Sequence, residues 1–158
     1  MTTEVPLEIA DRLEIDDLLT RYAVAIDTKD WDLLATCFTP DAHIDYRASG
    51  GAEGTYPEVA AWLAETLAAF PMTQHFCTNR TVTFSAATAG TATARSYFYN
   101  PMGFPDADGQ KLMFVGGYYN DRMVKTPGGW RIAERIEEMA WMDTRPATSP
   151  APSPRIAL

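Results

Sequence analysis

The chain has 158 residues, 46% of them apolar and 22% charged, with a formal net charge of −8 and an isoelectric point near 4.6. That length supports one domain with a real core, burying roughly two thirds of the surface its unfolded form exposes, and the composition is far from that of a disordered polypeptide. The acidic balance repels nucleic-acid phosphates and anionic lipid, and no apolar run approaches the ~20 residues that span a bilayer.

Residues 1–15 carry four acids where a secretory signal would carry lysines and an apolar run, so a cytoplasmic protein with no nucleic-acid or membrane partner is expected. Cys37 and Cys77 form no CxxC pair and have no histidines at zinc spacing, which predicts buried thiols in a reducing compartment. Four Trp, seven Tyr and seven Phe suit either a large core or a pocket for a flat apolar ligand.

From Leu7 to Asp27 the apolar residues Ile15, Leu18, Leu19, Tyr22 and Ile26 recur at spacings of three and four, the stripe of one amphipathic helix. Trp31 to Phe38 predicts a second, short helix with Asp30 as its N-cap, ending by Thr39 because Pro40 pushes the preceding residue out of the α region. Ala42, Ile44 and Tyr46 alternate with His43 and Asp45, the pattern of a short strand with one face inward. Gly50, Gly51 and Gly54 mark a loop. Pro57 then opens a third helix that runs to Phe70 and stops at Pro71.

Residues 73–84, 91–100, 111–125 and 129–142 are rich in Thr, Val, Tyr and Phe and are separated by turn sequences such as PDADG and TPGG, which predicts a run of long strands. Three helices interleaved with and followed by antiparallel strands define an α+β domain, with the helices on one face of a curved sheet and a cavity between the layers. The domain is expected over residues 1–145. Residues 146–158 contain four prolines and read as a tail with little power to form a core.

Each of the two histidines can be weighed alone. His43 alternates with inward residues and so points to solvent. His75 opens a strand directly after Pro71, with Cys77 and Asn79 on its own face, and pattern alone leaves a satisfied core histidine and a functional one equally open. Asp27 ends the first helix, either as a surface acid or as a carboxylate carried inward one turn beyond Tyr22. A negative charge at a helix C-terminus is unfavourable by up to about 1 kcal/mol, which argues for a specific task.

The stretches RYAVAIDTKDWDLLATCFTPDAHIDY, TQHFCTNRTVTF, TATARSYFYN and GGYYNDRMVKTPGGWRI together resemble the scytalone dehydratase and SnoaL-like branch of the NTF2-like superfamily, over roughly residues 8–142. Bile-acid 7α-dehydratase and lindane dehydrochlorinase are similar members. The resemblance implies a cone of about three helices on a curved sheet enclosing an apolar pocket. It also implies a catalytic pair of Asp27 and His75, with Tyr22 and Tyr46 hydrogen-bonding substrate or water. Asn100 matches a pocket position that is an aspartate in the bile-acid enzyme; an amide hydrogen-bonds but cannot take a proton, which speaks against a second acid there and against that substrate. Asn100 and Phe98 share one strand face and are expected to bind substrate. Relatives pair through the outer sheet face, so a homo-oligomer, dimer or trimer, is implied, with Met139 and Trp141 offering apolar contact.

These groups also make chemical sense together. A neutral imidazole accepts a proton at neutral pH while a carboxylate on its other nitrogen fixes the tautomer and favours the imidazolium. Tyrosine hydroxyls donate to a carbonyl oxygen as an enolate develops. Removal of a proton beside a carbonyl, followed by loss of a leaving group, is a lyase reaction that needs no metal and no organic cofactor. The substrate class implied is a small hydrophobic cyclic or carbonyl-bearing molecule. An isomerase or polyketide-type cyclase on the same pocket, and a non-catalytic binding module, are the alternatives. A metal site from His43, Asp45 and His75 is opposed by the strand alternation, and no GxGxxG, P-loop or GxSxG motif occurs.

Overall fold

A computed structural model of the chain describes residues 7–107 and 109–147. Helix α1 (Leu7–Thr28) carries the predicted stripe, and Ile15, Leu18, Leu19, Tyr22 and Ile26 are all buried. The helix ends in a Schellman turn: the N–H of Asp30 donates to the carbonyl of Ala25 at 2.9 Å and that of Lys29 to Ile26 at 3.2 Å. Lys29 takes the left-handed position, φ 57°, where glycine is usual, and its ammonium donates to the Phe70 carbonyl at 3.0 Å. Asp30 then caps α2 (Trp31–Ala35), as expected, accepting from the Leu33 N–H at 2.9 Å.

The second helix is shorter than its sequence suggests. Phe38 belongs to strand β1 (Phe38–Asp45), because the carbonyl of Cys37 is taken by the N–H of Ile132 at 2.9 Å and sheet pairing outweighs local helical preference. Pro40 sits where the register of β1 against its neighbour shifts, so its missing N–H breaks no regular ladder. Within the glycine-rich segment expected to be loop, a short strand β2 (Glu53–Thr55) pairs antiparallel with β1. Helix α3 (Tyr56–Leu67) begins at a capping box, Glu58 reaching back to the Thr55 N–H at 2.8 Å, and gives way to tight turns before Phe70.

The remaining chain is β3 (Met72–Thr73), β4 (Phe76–Phe84), β5 (Thr91–Asp106), β6 (Gly109–Thr126) and β7 (Gly129–Pro146), the last three longer than predicted. The sheet runs β2-β1-β7-β6-β5-β3, with β4 also on β5, and only β1 and β7 are parallel. The three helices pack on one face of this mixed, mostly antiparallel curved sheet. Ala147 is tied to β6 through its N–H, which donates to the Gln110 carbonyl at 2.8 Å, while residues 148–158 of the expected proline-rich tail lie outside the described residues. Among the described residues no helix is long and apolar enough to cross a membrane. Cys37 and Cys77 are both buried free thiols, and burial pushes the Cys77 thiol up to about 11, far from thiolate chemistry at neutral pH.

Two bulges in β7 decide what faces the helices. Trp130 and Ile132 point inward; the register against β6 then shifts, so Arg135 and Glu137 point inward in place of Glu134 and Ile136. A second shift beyond Glu138 turns Met142 inward and leaves Trp141 on the outer face. On the inner face Arg135 meets Asp121 of β6 in a bidentate pair, Nε to Oδ1 at 2.7 Å and Nη2 to Oδ2 at 2.8 Å, with both side chains at 0% exposure.

Removing one partner of such a pair leaves an unpaired buried charge. Arg135→Met is predicted to lower the urea unfolding free energy by about 3–5 kcal/mol, and the double replacement Asp121→Leu with Arg135→Met to recover most of that loss. A single variant within 1 kcal/mol of the parent, on an order-of-magnitude scale, contradicts the pair's role in holding the sheet.

Candidate active site

The short break between β3 and β4 holds His75. The register of β3 and β4 on β5 continues across the break, from Thr73 opposite Met102 to Phe76 opposite Tyr99, which sets His75 opposite Asn100. In place of a ladder partner the backbone N–H of His75 donates to Asp27 Oδ2 at 2.8 Å, and its Nδ1 contacts Oδ1 at 2.7 Å. One carboxylate from the end of α1 therefore fixes both the backbone and the ring of one residue. The ionised carboxylate accepts at Nδ1–H, so Nε2 is the ring nitrogen that carries the lone pair. The His75 side chain is 7% exposed and lines the cavity between helices and sheet.

Tyrosines stand beside the pair. The Tyr22 ring meets His75 edge to face at 6.4 Å, and its hydroxyl lies 3.0 Å from that of Tyr46. Tyr119 packs against Tyr22 at 5.8 Å and stacks on Phe98 at 4.5 Å and 14°. Phe98 can adopt that stack because Gly117 presents no side chain: a Cβ there would stand 2.9 Å from the Phe98 ring and 2.1 Å from the Glu138 carbonyl. Behind the cluster the Arg135 guanidinium covers the rings of Tyr22 and Tyr119 at 4.1 and 4.2 Å. Burial holds the phenols of Tyr22, Tyr46 and Tyr119 well above the usual range, and the lowering by Arg135 is the smaller effect. All three are donors at neutral pH.

The cavity measures about 190 Å³. Its walls are mostly apolar, with Leu63, Trp62 and Phe70 from the helix side and Met102, Met113 and Val115 from the sheet. Polar groups are few: the His75 ring, the tyrosine hydroxyls, Asn100, Thr66, and Glu137 beside Ser49. Asn100 is 7% exposed, and its Oδ1 has no hydrogen-bond partner among the described residues. Such a convergence of a few polar groups on an apolar concavity is the usual form of a small-molecule site.

His75, Tyr22, Tyr46, Phe98 and Asn100 are on the cavity wall, and Asp27 stands directly behind His75. His43 faces outward, as its alternation predicts, 3.5 Å from Glu53. Sequence reasoning missed Tyr119, Glu137 and the Asp121–Arg135 pair. A signal for the pair exists: Asp121 shares an inward face with Val115, Tyr119 and Met123, and a carboxylate among them calls for a cation.

Residues 7–136 match the SnoaL-like domain family, and the chain belongs to that family. The uncharacterized protein Rv2910c of Mycobacterium tuberculosis is 47% identical over 131 residues, covering 82% of this chain and 86% of that one. Among solved structures, Kfla4162 from Kribbella flavida superposes with a TM-score of 0.78 at 26% identity, over 86% of this chain and 95% of the other. The hexachlorocyclohexane dehydrochlorinase LinA-type3 from Novosphingobium barchaimii LL02 superposes with a TM-score of 0.76 at 18% identity, over 92% and 97%, a likeness of fold. The NTF2-like cone implied by the sequence resemblance is the architecture observed.

The tyrosine arrangement is open to spectroscopy. In an alkaline ultraviolet titration, Tyr22, Tyr46 and Tyr119 are predicted to stay protonated until the chain unfolds. Reversible ionisation of all seven tyrosines in the folded protein would refute the buried hydroxyl cluster.

Proposed function

We propose that this protein is a cofactor-independent lyase that removes a proton next to a carbonyl on a small apolar ring and expels a leaving group. The observation that carries this assignment is the two-point contact of Asp27 with His75 at the wall of an apolar cavity. Nε2 of His75 takes the proton, and Asp27 keeps the ring in that tautomer and balances the imidazolium that forms. Tyr22 and Tyr46 donate to the carbonyl oxygen as charge develops on it, and the Arg135 guanidinium behind the rings adds a fixed positive potential. Asn100, with its free Oδ1, accepts from a substrate hydroxyl, and Phe98 supports the ring from the sheet side.

Size narrows the substrate. A cavity of about 150 Å³ holds benzene, and the 190 Å³ here admits one ring with substituents rather than a fused four-ring skeleton. This agrees with Asn100 in speaking against the bile-acid class. The dehydrochlorinase of the same fold eliminates a leaving group from a single ring, as its name states, which supports elimination over isomerisation or cyclisation. Assembly through the outer sheet face belongs to the same proposal, where Tyr97, Tyr99, Met139 and Trp141 are exposed together.

Substitution separates catalysis from mere binding. His75→Gln keeps bulk and hydrogen bonding but not basicity, and turnover of one-ring β-substituted ketones should fall by about 10²–10⁴. Asp27→Asn should fall within the same range, and the double variant should be scarcely worse than the weaker single one, because the second change removes support from a base already gone. A rate that climbs with pH through one ionisation in the parent should lose that limb in His75→Gln. Unchanged turnover in folded His75→Gln would leave a binding module as the better description.

A further inference from the structure

Among the described residues, Glu137 is the one carboxyl group on the cavity wall. It stands opposite Tyr119 in the β6–β7 ladder, and the parallel pairing of Asp45 with Ile136 brings Tyr46 alongside it. The groups facing it are Tyr119 from β6, Tyr46 and Asp45 from the end of β1, Ser49 from the turn that follows, and Arg135 from its own strand. Arg135 is engaged bidentately by Asp121, so it is not a dedicated partner for Glu137. Oε1 of Glu137 is buried and has no hydrogen-bond partner among the described residues. Ser49 and Arg135 compensate an ionised carboxylate so placed only in part, whereas a neutral carboxyl needs an acceptor for one proton.

The acceptor that fits is a substrate oxygen. His75 and Glu137 line the same cavity, with β5 and β6 between them; His75 is level with Asn100 and Val115, and Glu137 with Ser96 and Tyr119 four residues along the strands. A ligand that fills this cavity meets both residues. Resting on the elimination assigned above, we propose that Glu137 is the acid that protonates a departing oxygen, so that the site expels hydroxide as water in preference to halide. His75 Nε2 takes the proton from carbon, the C–H electron pair becomes the new C=C bond, and the C–O bond breaks with its pair going to oxygen. That oxygen takes the Glu137 proton and leaves as water. The imidazolium and carboxylate left behind return to their starting forms by exchanging a proton through solvent, so the net change is substrate to alkene plus water. The substrate class is then a one-ring β-hydroxy ketone, and the second acid that Asn100 cannot supply comes from β7.

Burial raises the Glu137 carboxyl above the usual range, with Ser49 and Arg135 opposing the shift without cancelling it. A raised carboxyl keeps its proton in the folded state above pH ~4.5 while the unfolded chain releases it, so this group subtracts from stability progressively as pH rises past that value. The test uses 3-hydroxycyclohexanone and 3-chlorocyclohexanone, which give the same enone. In Glu137→Gln the ratio of hydroxy to chloro turnover should drop about 10²-fold, because chloride leaves without a proton. His75→Gln should lower both rates and leave the ratio nearly unchanged. Glu137→Gln should also abolish the stability loss that the parent shows in urea unfolding between pH 4 and 8. An unchanged ratio with a normal loss in His75→Gln overturns the Glu137 assignment alone. No turnover of either ketone by the parent, or full activity in His75→Gln, overturns the elimination itself and the acid role with it. Equal pH dependence of stability in parent and Glu137→Gln shows an ionised carboxylate and also overturns the assignment.

Discussion

The site depends on one carboxylate placed at the end of a helix. Asp27 sits in the last turn of α1, where its charge meets the unfavourable end of the helix dipole, and it offsets that with two hydrogen bonds to a single residue. One oxygen takes the backbone N–H of His75 in the gap between β3 and β4, and the other takes the ring. Because the backbone contact fixes the residue and the ring contact fixes its rotation, the imidazole has no freedom left to lose on binding substrate. Pre-organisation of this kind is what positions a base within hydrogen-bond reach of a proton. The Schellman turn at Lys29 and the capped start of α2 then hold the helix end at the height of the strand gap.

The rest of the cavity divides into an apolar body and a polar seam. Tyr22, Tyr46 and Tyr119 run along that seam, and the Asp121–Arg135 pair is sealed beneath them. A lone guanidinium in the core would be several kcal/mol too expensive to bury, roughly, and its bidentate carboxylate makes it tolerable. The pair is neutral overall; its positive end lies against the rings and favours ionisation, but burial outweighs it, so the hydroxyls keep their protons and face the cavity as donors. Donors already oriented before reaction need no reorganisation when charge appears on a substrate oxygen.

Much of this was legible in the sequence, for identifiable reasons. The α1 stripe, the Asp30 cap, the inward Tyr46 and the outward His43 follow from local periodicity and capping, which act over a few residues. The meeting of Asp27 with His75 spans 48 positions, and pattern alone leaves both residues undecided where the family resemblance points to them. Residue 38 joined the sheet rather than the helix because a partner strand almost a hundred positions away captured the preceding carbonyl. What sequence could not reach was the inner face of β7. Strict alternation from Trp130 and Ile132 continues to Glu134, Ile136 and Glu138, and the apolar Ile136 makes that extrapolation attractive. Two bulges break the parity, and a bulge has no signature in a strand that lacks glycine or proline at the shift.

Those bulges also explain why a carboxyl stands where a more stable core would place a hydrocarbon. Turning Glu137 inward buries a titratable group whose Oε1 finds no partner among the described residues, a choice that lowers stability at neutral pH. The same bulge turns Ile136, an apolar residue well suited to the interior, out to 43% exposure. Both changes run against folding, and both are undone by deleting one residue from the strand. Local violations of packing logic of this kind concentrate where chemistry is done, because the interior of a folding core gains nothing from them. The bulge in β7 thus belongs to the site as much as the Asp27–His75 contact does: one sets a proton-bearing carboxyl on the β7 side of the cavity, and the other sets the base on the β4 side.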